Sequence, residues 1–88
     1  MSMGAALKAE RVLQLATQVI AIEVLCACQA LDLLAPLETS PALRSVHACV
    51  RDQVPTLSAD RPLSGDVAQI TAMIRAGALE HASTAVVN

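Results

Sequence analysis

The stretch from Leu15 to Leu34, LATQVIAIEVLCACQALDLL, constrains this chain more than any other. Val12, Leu15, Val19, Ile22, Cys26, Gln29 and Leu33 follow a 3-4-3-4-3-4 spacing, the seam of a helix in a left-handed bundle. A second seam, Leu13, Ala16, Ile20, Val24, Ala27, Leu31 and Leu34, runs beside it, so most of the mid-length circumference is apolar. A helix apolar nearly all round must be covered on several sides. With 88 residues the chain is too small to do this alone, because small chains bury a low fraction of their surface. The pattern predicts a helix that needs neighbours from outside the chain.

Helix signals place the remaining elements. Ser2 is positioned as an N-cap, and Pro36 stops the first helix because the residue before a proline is pushed out of the helical region. Ser40 as N-cap with Pro41 at the first helical position opens a second helix, whose stripe is Leu43, Val46, Cys49 and Val50 and which ends before Pro55. Thr56 to Pro62 reads as a loop with Leu57 tucked under it. Ser64 or Gly65 opens a third helix, with Asp66 in its first turn and Val67, Ile70, Met73 and Ile74 on its apolar side. Gly77 is the expected stop, since glycine takes the left-handed conformation cheaply. The predicted fold class is all-α: one long helix over about residues 3–34, then two shorter helices, as part of a multi-helix bundle. Residues 1–79 form the helical segment and residues 80–88, EHASTAVVN, which lack periodicity, are expected as a flexible tail.

Composition removes several function classes. The chain has no Phe, Tyr or Trp, six Lys and Arg, and a net charge of −2, so it offers nucleic acid neither base stacking nor a basic footprint. The apolar run Val19 to Cys28 is interrupted by Glu23 and flanked by Gln18 and Gln29, which reads as too short and too polar to span a membrane. No signal peptide is read at the N-terminus, where Lys8, Glu10 and Arg11 precede the apolar run, and the expected location is cytoplasmic. Cys26, Cys28 and Cys49 are expected to be reduced, with Cys26 and Cys28 acting as small buried hydrophobes.

Chemistry is sparse. Gly4, Gly65 and Gly77 stand too far apart for a phosphate-binding loop, and no His and Cys spacing suits a metal. His47 and Cys49, two apart on a helix, face different ways and make no nucleophile and base pair. Glu23, Asp32, Asp60 and Asp66 show no spacing that brings two carboxylates together on one helical face, and His81 falls in the tail. Asp60 and Arg61 in the second loop read as structural, pairing with helix ends or with each other. Glu23 stands out: a carboxylate inside the most apolar run needs a partner, and it is expected to meet a cation or helix terminus from elsewhere in an assembly, the alternative being that it supports a site there. No catalytic, cofactor-binding or metal-ligating residue is assigned.

The opening Ser2-Met3-Gly4, the run from Val19 to Asp32 (VIAIEVLCACQALD), the turn Thr39-Ser40-Pro41-Ala42-Leu43 and the loop Asp60-Arg61-Pro62-Leu63 through Asp66 together resemble the C-terminal region of the aromatic amino acid ammonia-lyases, the histidine-type members most of all. The resemblance covers nearly the whole chain in order, though no single motif is diagnostic. It implies a cytoplasmic, mainly helical homotetramer with a central bundle of long helices and active sites built from more than one subunit. The family eliminates ammonia through a methylidene-imidazolone group formed from an internal Ala-Ser-Gly, and uses catalytic tyrosines. This sequence contains no Ala-Ser-Gly and no tyrosine. The Glu or Gln that separates histidine-type from phenylalanine-type members would fall before Met1. The resemblance therefore implies no cofactor and no catalytic residue in this chain, whose expected partners are the remainder of a lyase or copies of itself through the long helix. The alternative is a free-standing helical self-association module without catalysis. Both expectations exclude nucleic-acid and membrane partners.

Overall fold

The computed structural model describes residues 2–56 and 62–85. Its helices are α1 (Met3–Leu33), α2 (Pro41–Gln53), α3 (Ser64–Arg75) and α4 (Ala78–Ala85), and the described residues include no strand. Ser2 is extended and its hydroxyl accepts from the Ala5 amide at 3.2 Å, satisfying one of the first-turn donors of α1. At ~1.5 Å per residue the 31 residues of α1 reach about 46 Å. The helix closes at Leu34, two residues before Pro36. Ser40 repeats the device, its hydroxyl accepting from the Leu43 amide at 3.4 Å, with Pro41 in the first turn of α2. Ser64 is the first residue of α3; no side chain caps that helix, and Asp66 sits in its first turn. Gly77 has φ +75°, the left-handed geometry expected at a helix stop.

The tail expected from residue 80 needs correction as far as Ala85. The chain bends at Gly77 and resumes as α4, whose first backbone bond runs from the His81 N–H to the Gly77 carbonyl at 3.0 Å. Three shorter helices therefore follow α1. Ala78 and Leu79 hold α4 down by packing against the core, which is why a segment without obvious periodicity is helical.

The helices associate in two pairs, α1 along α3 and α2 along α4. Between the pairs lies a small core of Ala21 and Cys28 from α1, Val50 and Val54 from the end of α2, and Ile70 and Met73 from α3. Burying each of the larger side chains is worth ~1.5–3 kcal/mol. The stripe of α1 that turns inward is Gln14, Thr17, Ala21, Val24 and Cys28, again at 3-4-3-4 spacing. It is not the most apolar stripe available. The seam through Val12, Leu15, Val19 and Ile22 stays 45–66% exposed.

The Cα trace measures 52 × 38 × 17 Å, a slab about two helices deep at ~8–10 Å between axes. Its accessible surface is 6148 Å², about a quarter more than the ~4,900 Å² that surface–mass scaling gives for a compact monomer of 9.1 kDa. By length and composition α1 is long and apolar enough to cross a membrane, which corrects the reading that its apolar run is too short and too polar. The core helix of a larger assembly meets the same criterion. Only 11% of the most apolar window of α1 is buried within this chain.

Candidate functional site

Three polar side chains, those of His47, Arg51 and Thr56, converge on Asp32, in the last turn of α1. The turn from 34 to 40 reverses the chain, so that His47 and Arg51, four apart and on one face of α2, are presented to it. His47 Nε2 lies 2.8 Å from Asp32 Oδ1. Arg51 donates to Oδ2 from Nε at 2.9 Å and from Nη2 at 2.6 Å, and the Thr56 hydroxyl donates to the same oxygen at 3.4 Å. The remaining Arg51 nitrogen, Nη1, donates to the Val54 and Pro55 carbonyls at 3.2 Å each, closing the C-terminal end of α2. Asp32, Arg51 and His47 keep 20%, 14% and 26% of their side-chain surface.

Burial pushes the Asp32 carboxyl up, but the hydrogen bonds and charge of Arg51, and then those of His47, outweigh it and hold the group below the usual carboxylate range. One turn earlier, burial pushes the Cys28 thiol up, with the Arg51 charge opposing and the Asp32 charge adding to the effect. This is a satisfied ion cluster rather than a reactive one. Both Asp32 oxygens and His47 Nε2 are engaged, and Cys49 turns instead toward α4, its sulfur 4.0 Å from the Ala78 carbonyl. Among the described residues no three His, Cys, Asp or Glu side chains are grouped to hold a metal ion.

Beside the cluster runs an apolar groove of about 300 Å³ between the last turns of α1 and the segments either side of the second loop, lined by Leu25, Cys26, Gln29, Ala30, Leu33, Arg51, Pro55 and Leu63. Cys26 is exposed on α1, which corrects the expectation that it is buried; Cys28 is buried as expected and Cys49 is half-buried. Glu23 is exposed on the uncovered side of α1, so within this chain it carries no burial penalty. His81 is exposed on α4. Leu57, Asp60 and Arg61 lie outside the described residues. His47 and Arg51 pair with Asp32 across 15 and 19 residues, a juxtaposition that no spacing within one helix announces. The available signal was two donors four apart on α2 and one acid in the last turn of the preceding helix.

Residues 1–52 match the sequence profile of the family described as aromatic amino acid lyase. The chain is similar to a histidine ammonia-lyase of Koribacter versatilis, 48% identical over 83 residues that make up 94% of this chain and 16% of that protein. It is also similar to a histidine ammonia-lyase of Anaeromyxobacter dehalogenans, 45% identical over 80 residues, 91% of this chain and 16% of that protein. To a tyrosine ammonia-lyase of Cupriavidus metallidurans it is 43% identical over 81 residues, 89% of this chain and 15% of that protein. The chain thus spans about one sixth of the length of these relatives. No solved structure gives a significant match.

Proposed function

Because the chain belongs to the aromatic amino acid lyase family, we propose that it is the C-terminal helical segment of a histidine ammonia-lyase, with packing and oligomerisation as its task. The whole enzyme would convert L-histidine to urocanate by eliminating ammonia, in the cytoplasm and as a homotetramer. The observation that carries this reading is the uncovered seam of α1, Val12 to Ile22, together with the excess of accessible surface over that of a compact monomer. That excess is of the order of the ~800 Å² that one partner contributes to an ordinary interface. Family membership favours a protein neighbour over lipid as the cover for this seam, and Glu23 on the same helix would be the more costly in lipid.

The residues present do not fit the family's electrophile: no Ala-Ser-Gly occurs from which it could form, and no tyrosine accompanies it. That chemistry would be supplied by another segment. Histidine is favoured as the substrate because several relatives at 41–48% identity are named histidine ammonia-lyase, against one named tyrosine ammonia-lyase at 43%.

Fragment complementation tests the proposal. A histidine ammonia-lyase lacking its last sixth, taken from the Koribacter relative, is co-expressed with this chain. A stable complex forming urocanate, read by its ultraviolet absorbance, is the expected result; a chain that stays apart from the truncated lyase overturns it. The small core joining α1, α2 and α3 favours a second reading, a free-standing module that pairs only with itself. Self-association without any lyase complex would select it.

A further inference from the structure

The two helix pairs are joined unevenly. Within each pair the helices lie along one another; across the divide α3 meets α4 beside Gly77, and α1 meets α2 where Asp32 faces His47 and Arg51. Apolar contact across the divide comes from the small core itself, Val50 and Val54 beside Cys28, Ile70 and Met73, with Ala78 and Leu79 of α4 packed against it. A further polar tie between the pairs, among the described residues, is the exposed contact from Gln69 Nε2 to Gln53 Oε1, at 3.3 Å. Against these, the Asp32 carboxylate draws three side chains from beyond α1 onto itself, and Arg51 relays that grip to the Val54 and Pro55 carbonyls. Val54, the most C-terminal core residue of this region, is thereby fixed to α1 through one guanidinium.

We propose that Asp32 is the pin that holds the α2/α4 pair onto the α1/α3 pair, and that the chain opens as two halves when the pin is withdrawn. The connections between the halves suit such a motion. The turn over 34–40 joins α1 to α2 without helical continuity, and Gly77 joins α3 to α4 in the left-handed conformation with nothing within 4 Å of where a Cβ would stand. Opening would leave each half with its own helix-to-helix contact. It would also uncover the last turns of α1, where Leu25, Cys26 and Leu33 already border the apolar groove.

The charged and titratable groups around the pin are Arg51 and His47 on α2 and the Cys28 thiol on α1, with the Glu38 and Arg44 pair, 3.0 Å apart, in the recess next to it.

Hydrogen exchange on the full chain, resolved by segment, tests the proposal. In Asp32→Asn, which keeps the shape and removes the charge, amides of α2 and α4 should exchange at least tenfold faster than in the parent chain. Those of 21–28 in α1 and of α3 should change less than twofold. Acceleration spread evenly over all four helices, or no acceleration, overturns the pin, since a merely stabilising group would lower protection everywhere together. Should Asp32→Asn fail to fold, Arg51→Lys is read the same way: it keeps the charge, loses the fork and the carbonyl relay, and must show the same segmental pattern or refute it. Glu38→Gln, which breaks only the outer pair, should leave every segment within twofold.

Discussion

Acid should uncouple Asp32 from its partners. Its folded-state pKa is depressed, so its contribution is fully present above the ordinary carboxylate value of 3.8 and is lost as pH falls through the lower folded value. The size follows from geometry. Two N–H groups of Arg51 at 2.9 and 2.6 Å and His47 at 2.8 Å make charge-assisted bonds, which typically contribute ~1.5–3 kcal/mol, and a fully buried pair costs ~3–5 kcal/mol to break. With a fifth of the Asp32 side chain in solvent, solvent screening brings the figure to about 2 kcal/mol. Urea unfolding, followed by far-ultraviolet circular dichroism at fixed chain concentration, measures it. With a slope of ~1 kcal/mol per molar for so small a chain, the first step of unfolding, release of the α2/α4 pair, should have its midpoint about 2 M lower in Asp32→Asn than in the parent at neutral pH, with α1 and α3 lost in a later step. As pH falls below the ordinary carboxylate range the two midpoints should converge, because the parent then also carries a neutral side chain. A neutral-pH gap under ~0.5 M would refute the magnitude. A gap that persists unchanged in strong acid would refute the assignment to the Asp32 charge.

The chain alone should produce no ultraviolet-absorbing product from histidine, phenylalanine or tyrosine even in large enzyme excess; a rate above a no-protein control would contradict the absence of an electrophile and of tyrosines. At micromolar concentration it should be helical and associated, and Val12→Glu with Val19→Glu should shift sedimentation equilibrium toward monomer; a parent chain that already sediments as a clean monomer would show that the exposed seam drives nothing. Glu23→Gln should leave the melting temperature of the isolated chain within about 2 °C, as an exposed carboxylate does, and lower that of a reconstituted lyase complex by several degrees; no change in the complex would mean that Glu23 stays solvated there.

The elements most legible in the sequence are those whose cause is local. Ser2, Ser40 with Pro41, and Gly77 each act through their own backbone or the next turn, and each stands where local chemistry puts it. α4 was not legible, because its helicity rests on Ala78 and Leu79 packing onto the core and not on a periodic stripe of its own. The Asp32 cluster is invisible to any one-helix reading, since its members lie on two helices and become neighbours only when the turn over 34–40 closes. The inward face of α1 is hidden from the sequence for a related reason. The two apolar seams suggested where a partner belongs, yet the chain's own α3 takes the stripe through Gln14, Thr17 and Ala21, leaving the better hydrophobic surface free.

The thinness of the slab bears on which substitutions such a chain can accept. With two helices across its 17 Å, most side chains have protein on one side only, and six of the described residues are buried by the chain itself. Mutational tolerance is then a property of the surroundings more than of the sequence. A scan of the isolated chain would find strong constraint at Ala21, Cys28, Val50, Val54, Ile70 and Met73 and near indifference along Val12, Leu15, Val19 and Ile22. The same scan with a neighbour on α1 would reverse that indifference, so the selective history of those four positions would be written by a surface that belongs to another part of the assembly.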